Sequence, residues 1–421
     1  MKKSFLYLLA VTAFTATFTS CSNDDEPIVP GVSLEEKAYA SQNLDLSLNG
    51  SNLVGKKVTF TPDGNGNANI TLAGEPLNLS DLIGGMTKAD SATEGLSIPT
   101  AGVLPGSPSV VIPVKLEGEA DSCTFKGTGE TDFCTYSYSG YATPENFKFD
   151  LSDVKLKNTS LAGTWTIHPL KVDDEDGSEY PFNTLHVDWV SEKGIDLFGT
   201  GYPMPVADLL GLTLVYPFLP AIDNDSTTTS IVDALCQVVK SIDLGEDGSV
   251  SAKYLDTKVE GLPETVAPKG IAQYIISKEG QLRLFLDPAA IIANTLNNAT
   301  ERTRAVDLSS LVEGLMQNLL PMLTAGIPIE YGQAQYTKDG KVVTIENTTA
   351  FYLGTETLLP ILKIAKPLFS DEDFVKSIVE EASKDPNMGI MAMMLPGILN
   401  AIPEIIDTTS KVEIGINLTK N

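Results

Sequence analysis

Only two histidines, His168 and His186, occur among 421 residues, and that scarcity restricts metal and acid–base chemistry from the start. His186 and Asp188 are two apart, so on a strand both point to one face. Together with His168 they make a weak metal site, a base with its orienting carboxylate, or simply the polar face of a strand. The metalloprotease pattern H-E-x-x-H, the nucleophile elbow G-x-S-x-G and the redox pair C-x-x-C are all missing from the sequence. Paired carboxylates for glycoside hydrolysis are defined by their separation in space, and the sequence nominates no pair. The expectation is a protein that is not an enzyme and carries no cofactor and no metal.

Three stretches come near to known ligand loops. Gly50-Ser51-Asn52-Leu53-Val54-Gly55-Lys56-Lys57 has almost the spacing of a phosphate-binding loop. Lys57 stands where a hydroxyl must reach magnesium, and Val58-Thr59-Phe60 reads as a strand where a helix N-terminus is required. Asp63, Asn65 and Asn67 fill the first, third and fifth positions of a calcium loop. Ala68 replaces its turn glycine and no acidic residue closes it, so a hairpin tip is expected. Asp173, Asp174, Glu175 and Asp176 form a denser anionic cluster, either a weak calcium site or a solvated acidic loop.

Cys123 and Cys134 flank the turn Lys126–Asp132 inside a β-hairpin pattern and are candidates to face each other across it, as a disulfide or as reduced thiols. Cys236, among Ile231, Val232, Leu235, Val238 and Val239, reads as a buried free thiol. The formal charge of −26, with no cluster of lysine or arginine, excludes phosphate-backbone binding and hence nucleic acid as a partner. It also disfavours attraction to anionic head groups, so membrane attachment must come from acyl chains.

Such an anchor has a candidate position. Lys2 and Lys3 precede an apolar run from Phe5 to Phe18, then Thr19 and Ser20 lead to Cys21. The run is short for a membrane span and has the layout of a signal peptide over residues 1–21. A cysteine after small residues resembles a bacterial lipobox, which implies lipidation of Cys21 by acyl chains such as palmitate. Phe18 departs from the usual leucine. Ser22-Asn23-Asp24-Asp25-Glu26 resembles the acidic stretch that directs Bacteroidetes lipoproteins to the outer face of the outer membrane. Residues 22–38 then read as a flexible acidic tether.

From 39 to 170 the apolar period is two: Leu44, Leu46 and Leu48; Val58 and Phe60; Ile70 and Leu72; Phe147, Phe149 and Leu151. Turn residues punctuate these runs, which predicts a β-rich barrel or sandwich of antiparallel strands. From 171 to 421 apolar, proline-punctuated helices alternate with strand pairs, so the fold class expected is α+β, with this second part an α+β domain rather than a second barrel. One helix is expected from Asp307 along Leu308, Leu311, Leu315 and Leu319, another from Ser370 with Asp373 as a capping box. Tyr274 before Lys278-Glu279-Gly280 and Tyr336 before Lys338-Asp339-Gly340 sit in two similar hairpin patterns, an internal repeat or a coincidence of turns. This plan resembles an uncharacterised lipoprotein family of gut Bacteroides. The Leu44–Gly50 hairpin resembles the opening of lipocalin-like (calycin) barrels. The alternation of apolar helices and strand pairs is similar to tubular lipid-binding proteins of the bactericidal/permeability-increasing type, which implies enclosed acyl chains.

Two stretches are apolar nearly all round: Gly201–Ile222, with Tyr202 and Phe218, and Met388–Ile406, with Met391 and Met394. Either they are core, or they line a cavity for a hydrophobic or lipid-like small molecule, with Tyr202, Phe218, Met391 and Met394 as its lining. Pro396 and Pro403 are expected to kink or break the second stretch. The leading expectation is a surface-exposed binding lipoprotein for an apolar ligand. The alternative is a glycan-binding accessory protein of an outer-membrane uptake system, using Tyr136, Tyr138, Tyr141, Trp165 or Trp189.

Overall fold

The computed structural model describes residues 34–78, 97–98, 100–119, 121–172, 179–197, 201–222, 227–257, 259, 261–267, 270–287, 322–338, 341–384 and 388–421. Strand outweighs helix, 49% to 25%, and the class is α+β. The tract Asp173–Asp176, the helix expected from Asp307 over most of its length, and Cys21 with its signal and residues 22–33 of its tether lie outside the described residues. The last residues assigned to the tether, 34–38, are folded instead: Leu34 is buried in the core, and Lys37 and Ala38 open the first strand, whose pairing with the strand at Lys56–Pro62 left no signal in local composition.

Ten strands precede residue 160: β1 (Lys37–Ala40), β2 (Leu44–Leu48), β3 (Ser51–Asn52), β4 (Lys56–Pro62), β5 (Asn67–Gly74), β6 (Ser109–Lys115), β7 (Glu117–Glu119), β8 (Ser122–Glu130), β9 (Cys134–Ala142) and β10 (Phe147–Leu156), leaving aside a two-residue pair at 77–78 and 97–98. They form a four-stranded sheet, β1-β4-β5-β6, and a six-stranded sheet, β3-β2-β10-β9-β8-β7. Period-two alternation puts Val58, Phe60, Ile70 and Leu72 of one sheet against Leu46, Phe125, Phe147 and Phe149 of the other in one core. Phe147 sits at its centre, 5.0 Å from the ring of Tyr39, 5.9 Å from Phe60 and 5.6 Å from Phe125. Burial of each such ring contributes roughly 1.5–3 kcal/mol. Asn49 and Gly50, both at positive φ (47° and 79°), make the two-residue turn between β2 and β3. β2 runs parallel to β10, an exception to the antiparallel expectation.

The remaining strands are β11 (Gly163–Ile167), β12 (Leu185–Ser191), β13 (Val239–Leu244), β14 (Ser249–Leu255), β15 (Ala272–Lys278), β16 (Gln281–Leu286), β17 (Ile327–Lys338), β18 (Lys341–Leu353) and β19 (Thr409–Lys420), with further strands of two or three residues left unlabelled. β11 pairs antiparallel with both β13 and β19, closing the path β11-β13-β14-β15-β16-β17-β18-β19 into an eight-stranded antiparallel barrel. β12 pairs with the other part of the same edge of β19. The sequence reading held a barrel open only for residues 39–170 and expected none after them. What closes the sheet is a handful of pairings between residues far apart in the chain, which leave no mark on local periodicity.

Inward-facing side chains fill this barrel. Trp165 meets Phe351 edge-on at 5.2 Å, Tyr331 lies 6.0 Å from Phe351, and Tyr274, Leu282, Leu244 and Leu418 complete the packing in continuity with the core of the first two sheets. An eight-stranded barrel is just wide enough for such a filling. Tyr274 and Tyr336, equivalent in the repeated pattern, part company here. A bulge between Ile276 and Lys278 shifts the register, Tyr274 is fully buried in the core, and Tyr336 packs in a separate cluster with Ala334, Ile345 and Ala350.

Antiparallel order puts the described tight turns, 245–248 and 279–280, at one end of the barrel and the helical connections after β11 and β18 at the opposite end. At that end lie the one-turn helix α1 (Pro181–Thr184), α2 (Val206–Val215), α3 (Ile231–Val238), α4 (Thr355–Phe369), α5 (Glu372–Lys384) and α6 (Gly389–Thr408). Ser230 caps α3 by accepting from the Asp233 N–H at 3.0 Å. Two helix expectations change. α6 runs through Pro396 and Pro403 without a break, because packing on α4, α5 and β12 offsets the hydrogen bonds that proline cannot make. Asp371 caps α5, accepting from the Phe374 N–H at 2.9 Å, while Ser370 ends α4 instead. Among the described residues no helix is long and apolar enough to cross a membrane.

Candidate functional site

The helical layer is the first place to look for an apolar site. Met394 packs with Ile195, Val206, Leu209, Ile405 and Trp189 in a small cluster of its own between α2, α6 and β12. Tyr202, in the loop before α2, is 86% exposed and so lines no enclosed cavity among the described residues, contrary to the sequence reading. Phe218 is half-buried beyond α2, and the side chain of Met391 lies outside the described residues. The four residues therefore do not form one described pocket. What the layer does carry is exposed apolar surface, with Met393 at 75% and Leu212 at 48% exposure.

The histidines sit on the outer wall of the barrel, apart from each other. His186 Nε2 meets Glu413 Oε2 at 2.9 Å, and its ring stacks on Tyr352 with centroids 4.2 Å apart. Lys411 donates to Asp188 at 2.8 Å and lies 3.0 Å from Glu413. Burial pushes the Lys411 ammonium down, but its bonds to Asp188 and Glu413 outweigh that and raise it. Burial, then the nearby Glu413, raises the Tyr352 phenol. His186 and Asp188 do share a face, as expected, but the orienting carboxylate of His186 is Glu413. Asp188 is held by Lys411. The set is a satisfied ion-pair network, and its partner residues come from β18 and β19, where sequence spacing from His186 carried no signal. Among the described residues no three histidine, cysteine or carboxylate groups converge as a metal site.

His168 lies beside a groove of about 510 Å³ formed with Leu170, Asn183, Tyr336, Ile345 and Glu346. Its N–H donates to Asn417 O at 2.9 Å, and its Nδ1 lies 3.0 Å from Thr419 Oγ1 and 3.2 Å from Thr348 Oγ1. Burial lowers the affinity of its ring for a proton. Of the nominated apolar lining, Tyr202, Phe218 and Met394 are not among the residues that form this groove.

Other nominated residues are structural. Asp63 accepts from the N–H groups of Asn65 (2.7 Å) and Asn67 (3.0 Å), and these bonds with the Asn67 side chain hold its carboxyl below the usual range, as a hairpin tip requires. Lys56, from the near-phosphate loop, points inward on β4 and pairs with Asp287. Trp165, Tyr136 and Tyr138 are buried, Trp189 is half-buried with Nε1 donating to Thr409 Oγ1, and Tyr141 alone of the five is exposed. Cys123 and Cys134 are free thiols. The hairpin register sets Cys123 opposite Ala142, eight residues from Cys134 along β9, which is about 26 Å at about 3.3 Å per residue. A disulfide needs Cα atoms within about 7 Å, so the expected pairing across the hairpin is corrected. No family model, no curated protein and no solved structure matches this chain.

Proposed function

We propose that this chain is a lipid-anchored, surface-exposed binding protein of the outer membrane, of the gut Bacteroides lipoprotein kind, and that it holds a hydrophobic or lipid-like ligand without catalysing a reaction. The observation that supports this reading is the helical layer at one end of the barrel. Its helices α2 and α6 share one small apolar cluster and yet keep the large apolar side chains of Leu212 and Met393 in solvent, surface that an apolar ligand would cover. In this reading acylated Cys21 and a tether that ends before Leu34 hold a β-rich part (to residue 170) and an α+β part (171–421) clear of the membrane. The glycan alternative stands second, because four of its five nominated aromatics are buried or half-buried.

Native mass spectrometry of the purified protein, followed by organic extraction, tests the proposal. A stoichiometric fatty acid or phospholipid, lost from Met393→Glu combined with Leu212→Glu, is expected. A protein that comes away empty and also fails to bind a fluorescent fatty acid refutes it. Cys21→Ser is expected to remove the acyl mass and release the chain from membranes; continued membrane attachment of that variant refutes the anchor.

A further inference from the structure

We infer that the groove beside His168 is a binding site for a neutral, hydroxyl-rich ligand of the mono- or disaccharide class. The groove lies on the barrel wall against the β17–β18 hairpin, where Gln335–Lys338 pair with Lys341–Thr344 and, among the described residues, with no other strand. It is distinct from the apolar helical layer, and the inference does not rest on the function proposed above.

A short chain of contacts holds the imidazole in place. Thr348, 2% exposed, donates its hydroxyl to Glu346 O at 3.0 Å, and His168 Nδ1 lies between the hydroxyls of Thr419 (3.0 Å) and Thr348 (3.2 Å), so Nε2 is the ring nitrogen that can meet a ligand. Glu346 adds a carboxylate, Tyr336 and Thr344 add hydroxyls and Asn183 an amide, and among the described side chains no lysine or arginine lines the groove. A wall that offers both donors and acceptors beside a carboxylate disfavours anions and suits a neutral ligand whose hydroxyls both give and take hydrogen bonds. Tyr336, Leu170 and Ile345 supply the apolar surface against which the C–H face of a sugar ring packs. Under the wall, Asn417 gives its Nδ2 to the carbonyls of Phe182, Asn183 and Leu185, while its Oδ1 and the hydroxyl of Thr184 are buried with no protein partner.

The chain has only two histidines, so imidazole nitrogen spectra of the full-length protein read the site directly. Glucose-, galactose- and mannose-terminated neutral disaccharides are titrated at millimolar concentration, with glucuronate as the anionic control. At least one neutral disaccharide is expected to move the His168 Nε2 resonance and leave His186 in place, with binding weakened about tenfold or more in Glu346→Ala and in Tyr336→Ala. Unchanged His186 resonances in the variants report an intact fold. The inference is overturned if no disaccharide moves His168, if both variants bind as well as the parent, or if glucuronate binds equally tightly.

Discussion

Removing either half of the Lys56–Asp287 ion pair is expected to destabilise the protein far more than removing both. Lys56 lies on β4 of the four-stranded sheet and Asp287 follows β16 of the barrel, and their side chains are 2% and 1% exposed. Lys56 also donates to Ala101 O at 2.8 Å. Truncating one member of a buried pair leaves an uncompensated charge and costs about 3–5 kcal/mol, which is roughly a hundred- to several-thousand-fold in the folded-to-unfolded ratio. In Lys56→Met the Ala101 carbonyl loses its donor too, adding about 1 kcal/mol. Replacing both partners by apolar groups of similar volume is often neutral or stabilising. Lys56→Met and Asp287→Leu should therefore each shift the urea midpoint strongly downward, and the double variant should recover most of the loss. A coupling energy of several kcal/mol from that cycle supports the pair as the buried tie between sandwich and barrel. Single variants within about 0.5 kcal/mol of the parent, or a double variant that loses the sum of both, would refute the reasoning.

Two further outcomes follow from buried groups. Burial lowers the proton affinity of His168 below its ordinary value of 6.5, so the unfolded chain binds its proton first. Stability is then fully present above about pH 6.5 and falls as pH drops through the depressed folded value, and denaturation curves of His168→Gln should lack that part of the acid slope. Cys123 and Cys134, raised by burial, should react with a thiol reagent only after denaturation, with identical masses under reducing and non-reducing conditions; a loss of two hydrogens in the intact mass contradicts the hairpin register.

Much of the strand content was legible because alternation is a local signal. Val58 and Phe60, Ile70 and Leu72, and Phe147, Phe149 and Leu151 are all buried on the face their spacing implied. Lys56 shares that parity with Val58 and Phe60, so a lysine on an apolar face already announced a buried partner, although its identity, 231 residues away, was out of reach. Barrel closure was illegible for the same reason. It depends on Trp165 opposing Ile242 on one side and Lys420 on the other. The site suffered likewise: Asp188 looked like the partner of His186 by proximity in sequence, but the cross-strand register brings Glu413 instead. Residues that meet across a sheet are specified by pairing, which one sequence does not display.

The filled barrel decides where binding can and cannot occur, and one substitution tests that division. Phe351, 8% exposed, closes the packing between Trp165 and Tyr331. A ligand inside the barrel would have to displace such rings, so both sites proposed above lie outside it, on the wall and at the helical end. Phe351→Ala removes a buried ring and two aromatic contacts and should cost about 3–5 kcal/mol of stability. It should leave the affinity of the folded fraction for a fluorescent fatty acid or a disaccharide unchanged. Met393→Ser, at a residue 75% exposed, should do the reverse, changing stability by about 0.5 kcal/mol or less while weakening fatty-acid binding. If Phe351→Ala instead keeps the parent's stability and abolishes or enlarges ligand uptake, the barrel interior is an adaptable cavity rather than a core, and the ligand belongs inside it.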